Sequence, residues 1–212
     1  MTIWKYTEVD HSQGATQKLS KLFEGKKYFD YPKPVDLIKR CIELYTSNSD
    51  LVMDFFSGSA TTAHAIMKLN LEDGGNRKFI LVQLPETCDV KSDAYKDGYR
   101  SICDIGEERI RRAGEQIKAE WEKEHNSDGL FANEEKFNTD IGFKVFKLDS
   151  TNIVPWDTTS EFSEDNLWNV ADVFKPDRSK EDFLYEIMLK YGVFDKQVEE
   201  IKLNVKKMHR VG

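Results

Sequence analysis

Leu51-Val-Met-Asp-Phe-Phe-Ser-Gly-Ser-Ala-Thr-Thr-Ala-His-Ala65 decides the fold, because it joins a short apolar run, a turn of small residues and a helical pattern. The apolar run predicts a strand that ends at Asp54, on the sheet edge where open α/β sheets bind ligands. A helix from Ala60 would direct free N–H groups at such a ligand. The segment therefore predicts a cradle for a nucleotide-like cofactor, although an ordinary strand-turn-helix fits a single glycine equally well.

The residues on either side of this segment predict a βαβ unit. Apolar residues recur at helical spacing from Pro34 to Tyr45, which predicts an amphipathic helix before the first strand. A second apolar run, Lys78 to Leu84, predicts a strand buried on both faces of a parallel sheet. The crossover between the two strands is expected to be right-handed.

Four more segments have clear patterns. Residues 1–30 predict a polar lead-in outside the core, with a short helix from Gln13 to Phe23. Residues 86–100 predict a loop that is either a functional lid or a disordered stretch. A long helix is predicted from Ile102 to Trp121, and Arg109 falls within its apolar stripe. Gly142 to Leu148 predict a third strand, at an edge or half-covered position.

The end of the chain is less regular. Residues 149–182 look loop-like, with isolated Trp156 and Trp168, and a helix from Phe183 to Tyr191 ends at Gly192. The basic residues 202–210 predict a solvated tail.

Composition restricts the class of protein. The chain has 212 residues, of which 39% are hydrophobic and 33% charged, and its net charge is −7. One main domain is expected, and contact with nucleic acid would need a local basic patch or further protein. No apolar run is long enough for a bilayer and no signal-peptide core is visible, which predicts a cytoplasmic protein without membrane partners. The three cysteines and four scattered histidines predict neither disulfides nor a metal site.

Three segments, taken in order, resemble motifs X, I and II of the β-class amino-methyltransferases of DNA. They are Tyr31 to Arg40, Asp54 to His64 and Phe79 to Glu86. More closely, the chain resembles the carboxyl-terminal part of the modification subunit of type III restriction-modification systems, including Asp104 to Arg112 and Gly142 to Asp149. The specificity of this resemblance lies in the ordered series of motifs.

The resemblance implies a partial Rossmann-like S-adenosylmethionine-dependent methyltransferase fold, with a mostly parallel sheet and flanking helices. It divides the chain into a lead-in (1–30), an S-adenosylmethionine-binding part (31–149) and a carboxyl-terminal extension (150–212). The cofactor-binding residues that it implies are Lys33, Pro34, Asp54, Phe55, Phe56, Ser57, Gly58, Ser59, Thr61, Thr62 and Gln83.

Several of these residues keep a simpler interpretation. Asp54 would also serve as a strand-end cap, and Lys33 as a solvated surface residue. One of Phe55 and Phe56 is expected in the core. Gln83 stands where the wider class usually has an acid and where ribose hydroxyls would bind. An uncharged residue there disfavours an unrelated NAD-dependent Rossmann enzyme.

The family's Asp-Pro-Pro-Tyr type motif is absent, since no two of the five prolines are adjacent. That motif builds the pocket for a flipped adenine, so no catalytic residue is assigned and the chain is not expected to methylate DNA alone. The parent enzyme would act on DNA, pair with a helicase-nuclease restriction subunit and form a homodimer. The alternative is an interaction module for a restriction subunit or a second methyltransferase copy, with a vestigial cofactor pocket.

Overall fold

A computed structural model describes residues 4–125, 136–154 and 175–193. The chain divides into two units, residues 1–144 and residues 145–212. The described elements of the first unit are α1 (Tyr6–Val9), α2 (Ser12–Leu22), α3 (Val35–Tyr45), β1 (Leu51–Asp54), α4 (Thr61–Asp73), β2 (Lys78–Leu81), α5 (Asp93–Lys96) and α6 (Ile102–His125). The second unit contains α7 (Lys180–Lys190).

Strands β1 and β2 and helix α4 form the predicted βαβ unit. The strands are parallel, with Leu51 opposite Lys78 and Asp54 opposite Leu81. Helix α4 begins after Ala60 and stops at Gly74, whose positive φ of 68° suits a glycine that ends a helix. The prediction of two parallel strands joined by a helix is therefore confirmed.

Helix α4 is the centre of the first unit. Its Ala65 and Ile66 pack with Ile42 of α3, in a cluster that also takes in Val52 of β1. Its Ala63 and Met67 form a second cluster, with α6 residues Ile110, Ala113 and Ile117. Phe79 of β2 contacts both clusters. The helix is thus packed on two sides by other helices and on a third by the sheet.

The sheet is covered on one face only, within the described residues. Val52 and Phe79 point into the helical clusters, whereas Leu51 and Met53 are 57% and 59% exposed. Ile80 and the residues just beyond β2, Val82 and Leu84, are exposed as well. The predicted burial of the second strand on both faces is therefore wrong, because the described helices that pack on the sheet cover the face of Val52 and Phe79. We call Leu51, Met53, Ile80, Val82 and Leu84 the bare sheet face.

The segment expected to be a lead-in belongs to the core. Helix α2 is where a helix was predicted, but its Leu19 is buried and Phe23, just after it, is almost fully buried. Both pack with Ala94 of α5 and Ile105 of α6. The expectation that residues 1–30 lie outside the core is wrong, because α2 supplies the apolar cover for the start of α6.

The predicted third strand is also wrong. Residues 142–148 form no strand, and Ile141 and Phe143 instead pack against the cluster between α4 and α6. The loop at residues 86–100 is ordered, which removes the disordered alternative. Its ends meet through a bridge between Thr87 and Ser101. The long helix is confirmed and continues to His125.

The second unit holds the predicted terminal helix. Helix α7 begins with a capping box, in which Ser179 and Asp182 bond to each other's backbone N–H groups. Gly192 follows it at positive φ, as predicted. Trp156, Trp168 and the basic tail lie outside the described residues. Among the helices that the structure describes, none has the length and apolar character that a bilayer crossing requires.

The burial of Phe23 gives a test of the fold. Phe23→Ala should lower the free energy of unfolding by about 3–5 kcal/mol, the range for truncating a buried aromatic ring. Phe56→Ala, at a ring that is 78% exposed, should change it by less than about 0.5 kcal/mol. Denaturant unfolding measures both changes, and equal effects would show that Phe23 is not part of the core.

Candidate functional site

The turn between β1 and α4 has two residues with left-handed backbone. Gly58 has φ of 51° and Ala60 has φ of 58°. Glycine adopts this conformation without strain, but alanine is destabilised there by about 1–2 kcal/mol. The Ala60 N–H donates to the Ser57 carbonyl at 2.8 Å, which closes the turn. A strained residue such as Ala60 persists only where its surroundings hold it.

Asp54 provides the first support for the turn. Its Oδ1 accepts a hydrogen bond from the Phe56 N–H at 3.1 Å, and its Oδ2 accepts one from the Thr62 hydroxyl at 2.5 Å. The carboxylate therefore ties the end of β1 to the first turn of α4. These contacts fit the strand-end cap that the sequence left open for Asp54.

The end of β2 provides the second support. The Gly58 N–H donates to Gln83 Oε1 at 2.8 Å, and the Ser57 N–H donates to the Val82 carbonyl at 3.2 Å. The sequence placed Gln83 beside this turn, and the structure brings the two together. Its amide oxygen meets a backbone N–H of the turn, so Gln83 shapes the site through this hydrogen bond.

Helix α6 provides a third support, which the sequence did not indicate as part of the site. Arg109 is only 2% exposed, and its Nη1 donates to Ser59 Oγ and Thr61 Oγ1, each at 2.7 Å, and to the Ser59 carbonyl at 3.1 Å. Burial lowers the pKa of Arg109 to about 10, so the guanidinium remains charged at neutral pH. The only sign of this role in the sequence was that Arg109 falls within the apolar stripe of α6.

The backbone of α6 also comes close to the turn. A Cβ atom on Gly106 would lie 3.4 Å from the Gly58 carbonyl oxygen, so a small residue is needed at this contact. Nearer the start of α6, the Cys103 thiol lies 3.6 Å from the Gln83 carbonyl. Helix α6 thus contacts both the turn and the end of β2.

The other predicted residues differ in exposure. Phe55 and Phe56 are 62% and 78% exposed, with ring centroids 5.1 Å apart, so the expectation that one of them is in the core is wrong. Pro34 is buried and precedes α3 as its N-cap. Lys33 is exposed, and within the described residues it makes no hydrogen bond or ion pair, which fits the solvated interpretation.

The turn and its surroundings present both aromatic faces and backbone N–H groups. The turn is partly exposed at Ser57 and Gly58, and Phe55 and Phe56 offer exposed aromatic faces beside it. The predicted residues Ser59, Thr61 and Thr62 are buried instead. The α4 N-terminus has N–H groups that need partners outside the helix. Among the described residues, no group of acidic, histidine or cysteine side chains could hold a metal ion.

His64, in the second turn of α4, is held neutral. Its Nδ1 is buried and has no hydrogen-bond partner among the described residues. Burial first, and the nearby positive charges of Arg109 and Lys68 second, lower the pKa of His64 to about 3; Asp36 acts in the opposite direction. An uncharged imidazole lets α4 pack without adding a second charge beside Arg109.

The depressed pKa of His64 predicts a pH dependence of stability. Between pH 3 and 6.5 the unfolded chain binds a proton that the folded chain does not, so the free energy of unfolding rises with pH in that range. At pH 5 the loss relative to pH 8 from this group is about 2 kcal/mol. Carboxylates titrate mostly below pH 5, so they contribute little to the change in stability between pH 5 and 8. Denaturant unfolding from pH 5 to 8 should show a flatter profile for His64→Gln than for the wild-type chain. An unchanged slope in His64→Gln would exclude His64 as its source.

Comparison with known proteins assigns the family. The DNA methylase family of N6 and N4 methyltransferases matches residues 1–115. The chain is 41% identical over 124 residues to the type III restriction-modification enzyme StyLTI Mod subunit of Salmonella typhimurium, covering 58% of the chain and 17% of the relative. For the EcoPI Mod subunit of Escherichia phage P1 the identity is 44% over 110 residues, 52% of the chain and 17% of the relative. For the EcoP15I Mod subunit of Escherichia coli it is 36% over 147 residues, 68% of the chain and 20% of the relative.

The chain thus spans a fifth or less of the length of these relatives. The matched family region includes β1, the turn, α4, β2 and the part of α6 that carries Arg109. The chain belongs to the DNA methylase family, and its sequence is similar to part of the type III Mod subunits.

Proposed function

We propose that the chain is the cofactor-binding portion of a site-specific DNA methyltransferase of a type III restriction-modification system. The parent enzyme would transfer a methyl group from S-adenosylmethionine to the N6 atom of a flipped adenine. One observation carries the proposal. The turn that follows β1 is held by side chains from three separate elements, and it lies in the region that matches the DNA methylase family.

The residues of the turn would hold and orient the methyl donor. S-adenosylmethionine, when bound, supplies a methyl group on a positively charged sulfur. The N–H groups at the start of α4 suit the carboxylate of its methionine part. Phe55 and Phe56 would exclude water from one side of the site, and the small residues 57–59 would let the backbone approach. Catalysis by such a site is mainly a matter of positioning the donor.

The target base would be bound elsewhere in the parent protein. A flipped adenine needs a pocket with a stacking aromatic and acceptors for its amino hydrogens, which the family builds with its Pro-Pro motif. We therefore propose that this chain alone does not methylate DNA. The relatives are named as Mod subunits, and the proposed partners are accordingly DNA and a restriction subunit, with a homodimer of the parent protein.

Gly58 tests the cofactor site directly. Gly58→Val should abolish binding of S-adenosylhomocysteine, because a β-branched residue is strained at φ of 51°. Gly74→Val is the matched control, since Gly74 also has positive φ but lies at the other end of α4. Isothermal titration measures binding. Absence of binding by the wild-type chain, or equal losses in both variants, would contradict the proposal.

The bare sheet face favours a second function, which is association with further protein. Its apolar side chains come from both strands and lie exposed together, as at protein interfaces. We propose that it packs against further parts of the parent methyltransferase, and an interaction module would use the same surface.

Met53 lies at the middle of this face and provides a test. Met53→Lys should weaken association with a separately produced amino-terminal part of the parent protein by at least about tenfold, because the interface would bury an unpaired charge. Val90→Lys, at an exposed apolar residue of the 86–100 loop, should leave association unchanged. Sedimentation velocity of the mixtures measures association. Equal affinities of the two variants would exclude the bare sheet face as the interface.

A further inference from the structure

Arg109 is a buried charge without a described carboxylate partner. Its side chain lies between α6 and the start of α4, and the described residues that accept its hydrogen bonds are Ser59 and Thr61. The other nearby arginines of α6 differ, because Arg111 and Arg112 both pair with Glu108. A buried guanidinium is retained at a cost in free energy, so its position calls for a reason beyond filling the core.

The geometry of the hydrogen bonds supplies that reason. All three oxygens face Nη1, which has two hydrogens, so at least one bond is shared. The oxygens belong to Ser59 and Thr61, the residues on either side of Ala60. Ala60 is the non-glycine residue that the turn holds in left-handed backbone. Arg109 therefore holds the turn through hydrogen bonds to the residues on either side of its strained residue.

Gly106 and Arg109 act from the same side of α6. They are three residues apart, which places them on one face of the helix. The Gly106 backbone lies close to the Gly58 carbonyl, where an added Cβ would be in van der Waals contact at 3.4 Å, and Arg109 reaches the next part of the turn. The turn cannot relax without either moving α6 or breaking these hydrogen bonds.

We infer that Arg109 is a positioning residue for the methyl-donor site. Through Ser59 and Thr61 it fixes the backbone between β1 and α4, on which the cofactor rests. This inference depends on the proposed function for its effect on cofactor binding. It does not require Arg109 to contact the cofactor.

A general structural role would produce a different pattern of effects. If Arg109 only stabilised the core, its replacement would lower overall stability and leave the folded protein's affinity for the cofactor unchanged. As a positioning residue, it changes the local order of the turn and the affinity more than it changes the rest of the fold. Arg112 is the matched control, because it is a half-buried arginine of the same helix that donates to the Leu22 carbonyl and Glu24.

The experiment compares Arg109→Lys, Arg109→Met and Arg112→Met in the full chain. Hydrogen exchange of the Gly58 and Ala60 amides reports the order of the turn without ligand, and titration with S-adenosylhomocysteine reports affinity. Lysine keeps the charge but cannot reproduce the guanidinium geometry. Both Arg109 variants should exchange these amides at least about tenfold faster and bind at least about tenfold more weakly, as expected when hydrogen bonds from a buried charged group are lost. Arg112→Met should change neither.

Thr61→Val keeps the test decisive if an Arg109 variant does not fold. It removes one acceptor of Arg109 with little change of volume, and should speed the ligand-free exchange of the Gly58 and Ala60 amides in the same direction. Unchanged exchange and affinity in folded Arg109→Lys and Thr61→Val, or equal losses in Arg112→Met, would overturn the inference. If the wild-type chain binds no S-adenosylhomocysteine, the proposed function fails, while the exchange of the turn amides still decides whether Arg109 holds the turn.

Discussion

The structure depends on the close packing of α4 between α3 and α6. Ala63 and Ala65 are fully buried, on opposite sides of the helix, so each neighbouring helix approaches over a small side chain. Phe79 fills the space between the two resulting clusters and connects them to the sheet. Since the turn leads directly into α4, the packing that fixes this helix also fixes where the turn lies. A protein interior is packed densely enough to transmit such a constraint.

The parts of the fold with local signals were predictable from the sequence. The βαβ unit follows from two short apolar runs and a segment of small residues, and α3 follows from its amphipathic spacing. The family resemblance identified the turn and Gln83, which lie together in the structure. Arg109 was not recognised, because it is 50 residues from Ser59 in the sequence. Until that neighbour is known, an arginine in an apolar stripe is indistinguishable from one whose stem packs while its charge reaches water.

The wrong predictions share a cause. An apolar pattern shows that a residue is packed, but it does not show which part of the protein the residue packs against. Phe143 alternates as in a strand, yet it packs against the cluster between α4 and α6. Phe23 stands among polar residues, which made its segment look peripheral, but its ring packs into the core beside Ile105. The run of β2 predicted burial on two faces because it is apolar throughout. Its composition could not show that the described helices cover one face.

The turn is supported by side chains of the protein itself. Asp54, Gln83 and Arg109 each bond to a different part of it, and between them they offset the strain at Ala60. These supports all lie within the family-matched residues, and none of them belongs to the bare sheet face. Under the proposed function, holding the cofactor and associating with further protein would depend on different side chains, although the Val82 carbonyl of the bare sheet face accepts a hydrogen bond from the Ser57 N–H of the turn.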